Sequence, residues 1–180
     1  MMKKILGSAA LMVVLLGSSN VWATDSAAGK GVLTFTGSVS SGTCVVNGKD
    51  VVEVVGDILA SSTGTGWDVV KTYPLTISIT GCPASIKEVG VTPTFTEVTG
   101  RSAYGSIKNA GTAKNLMVQI AKTDAGDKYV DFLPKDQRQV VSLTGGAGEF
   151  FYRASLMGTN SGKATAGTLD YSAQFAIDFK

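Results

Sequence analysis

The sequence contains no histidine. That removes the commonest general base, a common metal ligand and every triad in which imidazole activates a serine or cysteine. It holds only two cysteines, Cys44 and Cys82, too few and too far apart for a zinc site. No stretch carries a long helical period, so no glycine-rich loop opens a helix to cradle phosphate. The fourteen carboxylates are scattered. Asp124 and Asp127 bring calcium to mind, but D-A-G-D reads better as a solvated turn. Carboxylate-only hydrolysis is the one enzymatic class left open, and with no nucleophile–base pair the chain reads as a non-enzyme without cofactor or metal.

Net charge is also missing once the front of the chain is set aside. Residues 1–23 carry Lys3 and Lys4, an apolar run through Leu16, and small residues ending in Val21-Trp22-Ala23. This is the layout of a secretory signal peptide, with cleavage expected after Ala23. The apolar run is too short and wrongly flanked for a membrane anchor. Of sixteen basic residues two belong to this leader, so the remainder balances the fourteen acidic ones. A neutral chain gives no case for nucleic acid as a partner. Export favours a disulfide between Cys44 and Cys82 over two buried thiols.

What is present is β-structure. From Leu169 the odd positions read Leu169, Tyr171, Ala173, Phe175, Ile177, Phe179, and the even ones Asp170, Ser172, Gln174, Ala176, Asp178, Lys180. Successive side chains of a strand point to opposite faces, so this stretch has one apolar and one wet face. By itself it reads as the closing strand of a β-sandwich. A second alternating strand lies near the front, where Leu33, Phe35, Gly37 and Val39 share one parity and Val32 is the exception on the other. A glycine inside an apolar face marks a close approach. Residues 24–30 read as an unstructured tail before it.

Between these ends, 51–55 is a β-branched run and 75–80 (L-T-I-S-I-T) alternates before Gly81-Cys82. Pro93 demotes 89–96 to a bulged or edge strand. Residues 101–113 read as a loop, and 116–121, 140–143 and 150–156 as strands. Seven to nine strands, 22 glycines and no long helix predict an all-β sandwich of immunoglobulin size.

The two ends belong together. The segment G-V-L-T-F-T-G-S-V-S-S-G-T-C, the second cysteine in I-S-I-T-G-C, N-L-M-V-Q-I from Asn115, F-F-Y-R-A-S-L, and a tail with Gly167 fourteenth and Phe179 second from the end make one set. It resembles the pilin subunits of the chaperone–usher pathway of Gram-negative bacteria, in particular type 1-like fimbrial subunits. That family often has tyrosine where Phe179 stands.

The resemblance implies an incomplete immunoglobulin-like sandwich completed by a donated strand. Residues 24–41 are then the N-terminal extension, with Leu33, Phe35, Gly37 and Val39 as the donor face, and 42–180 the pilin domain. The C-terminal strand, through Gly167, Leu169, Tyr171, Phe175, Ile177, Phe179 and Lys180, is expected to pair with a periplasmic chaperone whose basic residues hold the Lys180 carboxylate. Neighbouring subunits in a head-to-tail polymer and an outer-membrane usher are the other implied partners. The implied location is a fimbrium on the cell surface, reached through the periplasm, with a contribution to adhesion. The competing reading is a self-contained secreted β-sandwich that binds carbohydrate or a small ligand, with Trp67 or Tyr104 as sugar-stacking residues.

Overall fold

The computed structural model describes residues 27–39, 44–48, 51–59 and 66–180, with the backbone alone at 27–31, 38–39 and 51–59. The expected leader, the expected cleavage point after Ala23 and the expected boundary at 41–42 lie outside the described residues.

Eleven strands are described: β1 (Ala27–Val39), β2 (Val45–Asn47), β3 (Val51–Leu59), β4 (Val69–Thr80), β5 (Glu88–Phe95), β6 (Ser106–Lys108), β7 (Leu116–Thr123), β8 (Tyr129–Phe132), β9 (Gln139–Ser142), β10 (Gly148–Gly158) and β11 (Leu169–Phe179). They form two sheets. One runs β3-β1-β11-β5-β9, the other β2-β4-β10-β7-β6, with β8 pairing the remaining length of β7. This is the all-β, immunoglobulin-like sandwich expected from the sequence.

Period-two patterning places the core between the sheets. On β4, Tyr73, Leu75, Ile77 and Ile79 point inward while Thr76 and Thr80 are exposed. They face Leu169, Tyr171, Ala173, Phe175 and Ile177 from β11 across one continuous core. The Cys44–Cys82 disulfide, with Cα atoms 4.4 Å apart, ties the entry of β2 to the chain leaving β4.

Three local expectations change. Residues 27–30 are strand rather than tail, because β3 offers an edge on which Ala27 meets Leu59 and Gly29 meets Ile58. Small polar residues carry no local signal for such a partner. The expected 101–113 loop contains a 3-10 turn at Ser102–Tyr104 and the short strand β6, whose Ile107 is buried. Three residues, of which Ser106 and Ile107 are buried, are too few to show a period. Strand β5 lies inside its sheet without a bulge at Pro93, pairing β11 through Phe95. Its other side is covered by β9 only as far as Val91, so Pro93 does stand where that side is open. There the Pro93 carbonyl accepts the Asp136 N–H at 2.7 Å.

Candidate functional site

The site is the channel between β3 and β11, and β1 occupies it. β1 pairs antiparallel with β3 and parallel with β11, with Leu33 opposite Tyr171, Phe35 opposite Ala173, Gly37 opposite Phe175 and Val39 opposite Ile177. The alternation read from the sequence sets which side chains enter the core. Leu33 and Phe35 are 0% and 1% exposed, whereas Val32, the exception to the pattern, is 40% exposed. The Phe35 ring lies 5.8 Å from Phe175, which stacks on Tyr152 at 5.9 Å, and Tyr152 stacks on Phe150 at 6.1 Å. Phe35 from β1 and Phe175 from β11 therefore share one aromatic column with Tyr152 and Phe150 of β10. Burial also pushes ionisation of the Tyr152 and Tyr171 hydroxyls well above the usual tyrosine range. Over Gly37 the outer face has a depression of about 290 Å³ lined by Thr36, Thr94, Gln174 and Ala176 among others.

The start of β11 is held by the connection between β6 and β7. Asn109 Oδ1 accepts the Asp170 N–H at 2.8 Å, and the Ala113 N–H donates to the Thr168 carbonyl at 3.1 Å. Gly167 lies so close to this connection that a Cβ there would sit 2.4 Å from the Ala113 nitrogen. This gives a steric reason for the glycine that opens the C-terminal motif. Asn115, which precedes β7, adopts a left-handed φ of 61° and donates from Nδ2 to the Lys163 carbonyl at 2.9 Å.

At the other end of β11, Phe179 is half-buried against the core and Lys180 is exposed. The Lys180 N–H donates to the Glu88 carbonyl at 2.9 Å, and the Lys180 main-chain oxygen accepts from the Lys87 and Glu88 N–H groups.

An ion cluster missed in the sequence completes this end. Arg138 binds Asp178 through Nε (3.0 Å to Oδ2) and Nη2 (2.7 Å to Oδ1), and donates from Nη1 to Glu88 at 2.9 Å. The hydrogen bonds from Arg138 hold the Asp178 carboxyl below the ordinary carboxylate range, and those to Asp178 and then Glu88 raise the guanidinium. The guanidinium lies flat on β5 because residue 90 is glycine; a Cβ there would fall 2.1 Å from Arg138 Nε. Three charged residues separated by 40 to 50 positions leave no sequence signal.

The remaining candidates separate. Asp124 Oδ1 accepts the N–H groups of Gly126 and Lys128, both at 2.9 Å, so this carboxylate closes its own turn. Trp67 and Tyr104, 38% and 44% exposed, come together around Arg101, whose Cζ lies 4.0 Å and 4.8 Å from the two ring centroids. The pair is thus remote in sequence but shared in space, and it lies apart from the β1 channel.

No family model matches the chain. No curated protein matches it by sequence. Solved structures do. The P pilus rod subunit PapA is 19% identical and superposes with a TM-score of 0.58, over 77% of this chain and all of that one. A subunit from the structure of a chaperone–usher pilus, reported for the basis of its rod uncoiling, is 18% identical with a TM-score of 0.61, over 82% of this chain and 93% of that one. At such identities the likeness speaks for the fold. The chain has the fold of chaperone–usher pilus subunits, an immunoglobulin-like sandwich whose place between β3 and β11 is filled from the N-terminal side of the disulfide.

Proposed function

We propose that this chain is a structural, non-enzymatic fimbrial subunit that polymerises by donor-strand exchange. The observation that carries the proposal is that Leu33 and Phe35 fill the core from a strand lying ahead of the Cys44–Cys82 loop. Taking β1 away exposes the edges of β3 and β11 and opens the core beneath them, and such an edge is a template for another strand. Each of those two side chains contributes roughly 1.5–3 kcal/mol when buried, before ordering costs. Any strand with the same alternation, from a neighbouring copy or a chaperone, can supply equivalent contacts.

β1 runs antiparallel to β3 and parallel to β11, so a strand of either direction in this channel makes one parallel and one antiparallel ladder. A neighbour's extension can therefore replace β1 at little cost in pairing, while β1 holds the advantage of being tethered in the same chain. The self-inserted arrangement is then the resting subunit. In this reading 1–23 is removed on export, 24–41 is the donated extension and 42–180 the receiving domain. A periplasmic chaperone pairs with β11, an outer-membrane usher hosts the exchange, and the product is a surface fimbrium that contributes to adhesion. Nucleic acid has no part in it.

The test is a thermal melt of the oxidised chain beginning at Gly42, with and without a synthetic peptide spanning Gly29 to Ser40. The expected result is a chain that aggregates or melts early alone and gains more than about 10 °C with the peptide, as binding to the folded state requires. A truncated chain that melts cooperatively at the full-length temperature and ignores the peptide refutes strand donation.

A further inference from the structure

We propose that Arg101, Trp67 and Tyr104 form a binding site for the carboxylate of an acidic saccharide. The proposal goes beyond the fimbrial reading and does not depend on strand exchange.

The Arg101 guanidinium is held in place by three stretches of chain. It lies over the Trp67 ring just ahead of β4 and over the Tyr104 ring in the 3-10 turn. Its Nε faces the Ser106 hydroxyl on β6 at 3.4 Å, and Ser106 is fully buried. A guanidinium fixed in this way has little side-chain freedom left to lose when it binds.

Among the described residues its remaining donors have no acidic partner. Among the described residues the ion pairs join Lys122 to Asp131, Lys135 to Asp136, and Arg138 to Glu88 and Asp178, and none includes Arg101. Arg138 shows what the same side chain does when its partners are present: it spends all three nitrogens on two carboxylates. Among the described residues the hydrogen bond found from the Arg101 side chain is the one from Nε to Ser106, which leaves the two Nη groups, a planar fork suited to a bidentate oxyanion, without a protein acceptor.

The rings narrow the ligand class. Trp67 and Tyr104 both keep more than a third of their surface exposed, and the row continues through Phe132, 5.3 Å from Tyr104, to the exposed Tyr129 at 5.5 Å from Phe132. A small inorganic anion would satisfy the guanidinium and leave these rings in water. A hexuronic or sialic acid carries its carboxylate on a pyranose whose C–H face packs on an aromatic ring, so one rigid unit meets both halves of the site. An acidic peptide brings its carboxylate on a flexible stem and gives up more side-chain freedom for the same contact.

Trp67 also supplies the readout, since the only other tryptophan, Trp22, lies in the expected leader. The experiment titrates the exported chain, purified from the periplasm, at about 0.15 M ionic strength, where exposed charges are largely screened. The probes are trigalacturonate and 3′-sialyllactose, with lactose, acetate and hexaglutamate as comparisons. The expected result is a saturable change in Trp67 emission with at least one acidic saccharide, and the two arms show which acid is preferred. Arg101→Gln weakens that binding roughly ten- to hundredfold, the scale of a charge-assisted pair. Arg101→Lys, which keeps the charge without the fork, falls between. Each variant still melts cooperatively, a few degrees below wild type because its contacts to Trp67, Tyr104 and Ser106 are weakened, and the titrations are run well below that temperature.

The proposal is overturned if neither acidic saccharide produces a saturable response up to about 10 mM, beyond the weak end of specific binding. It is equally overturned if lactose, acetate or hexaglutamate responds as strongly, or if Arg101→Gln binds as well as wild type.

Discussion

Phe35→Ala is the substitution that best isolates the role of β1. Phe35 is 1% exposed and its ring packs 5.8 Å from Phe175. Truncating a buried phenylalanine to alanine costs about 3–5 kcal/mol in lost transfer energy and cavity. For a domain of this size each kcal/mol moves the melting temperature by roughly 2–4 °C, so the expected drop is about 6–20 °C. The neighbouring Thr36 points outward and is exposed. Thr36→Ala therefore makes the matched comparison, with an expected change within about 0.5 kcal/mol, or roughly 2 °C. Circular dichroism melts of the oxidised, full-length exported protein give both numbers. Adding the Gly29–Ser40 peptide separates the two states of the channel. In Phe35→Ala the weakened β1 yields to the wild-type peptide, which restores part of the lost temperature; in Thr36→Ala it does not. The reasoning fails if Phe35→Ala and Thr36→Ala melt at the same temperature, because the ring would then contribute nothing to the folded state.

Three further outcomes follow from the geometry. Gly90→Ala places a Cβ where the Arg138 guanidinium lies, so the variant melts below wild type in low salt and the gap narrows in about 1 M salt, where exposed charges are screened; an unchanged melt at low salt refutes the close approach. Asp178 is held below the ordinary carboxylate range by Arg138, so its contribution is fully present above roughly pH 4 and is lost as pH falls through the lower folded-state value. The melting-temperature difference between wild type and Asp178→Asn is thus largest near neutrality and shrinks in acid, and a difference that is flat with pH contradicts the pairing. Reducing the Cys44–Cys82 bridge, which closes a separation of 38 residues, costs roughly 4 kcal/mol on the loop-entropy model; a melt that does not move after thiol titration shows full reduction counts against it.

Legibility in the sequence followed the range of the physical signal. The alternation of β11 and β1 was readable because burial on one face imposes a period of two on neighbouring residues, and every inward residue of β11 from Leu169 to Ile177 is buried as that period demands. The same rule marked Val32 as the residue left outside. Length and type failed where the determinant was distant. Ala27 and Gly29 are strand because β3 lies beside them, and β6 is strand because β7 does. Trp67 and Tyr104 could be picked out as exposed aromatics, but Arg101, which joins them, could not. Arg138, Glu88 and Asp178 were each ordinary surface charges until the sheet brought them within hydrogen-bond distance.

By itself, then, the sequence determined that the chain is a two-faced β-protein, which side chains of β1 and β11 enter its core, and that Cys44 and Cys82 are its only cysteines. Tertiary structure alone decided that β1 sits in its own chain's channel, between β3 and β11, and that it runs parallel to β11. The reason is physical. Side chains say which face of a strand is buried, but the backbone N–H and C=O groups along its edges are the same in every strand, so partner and direction are settled only when competing edges meet around a shared core.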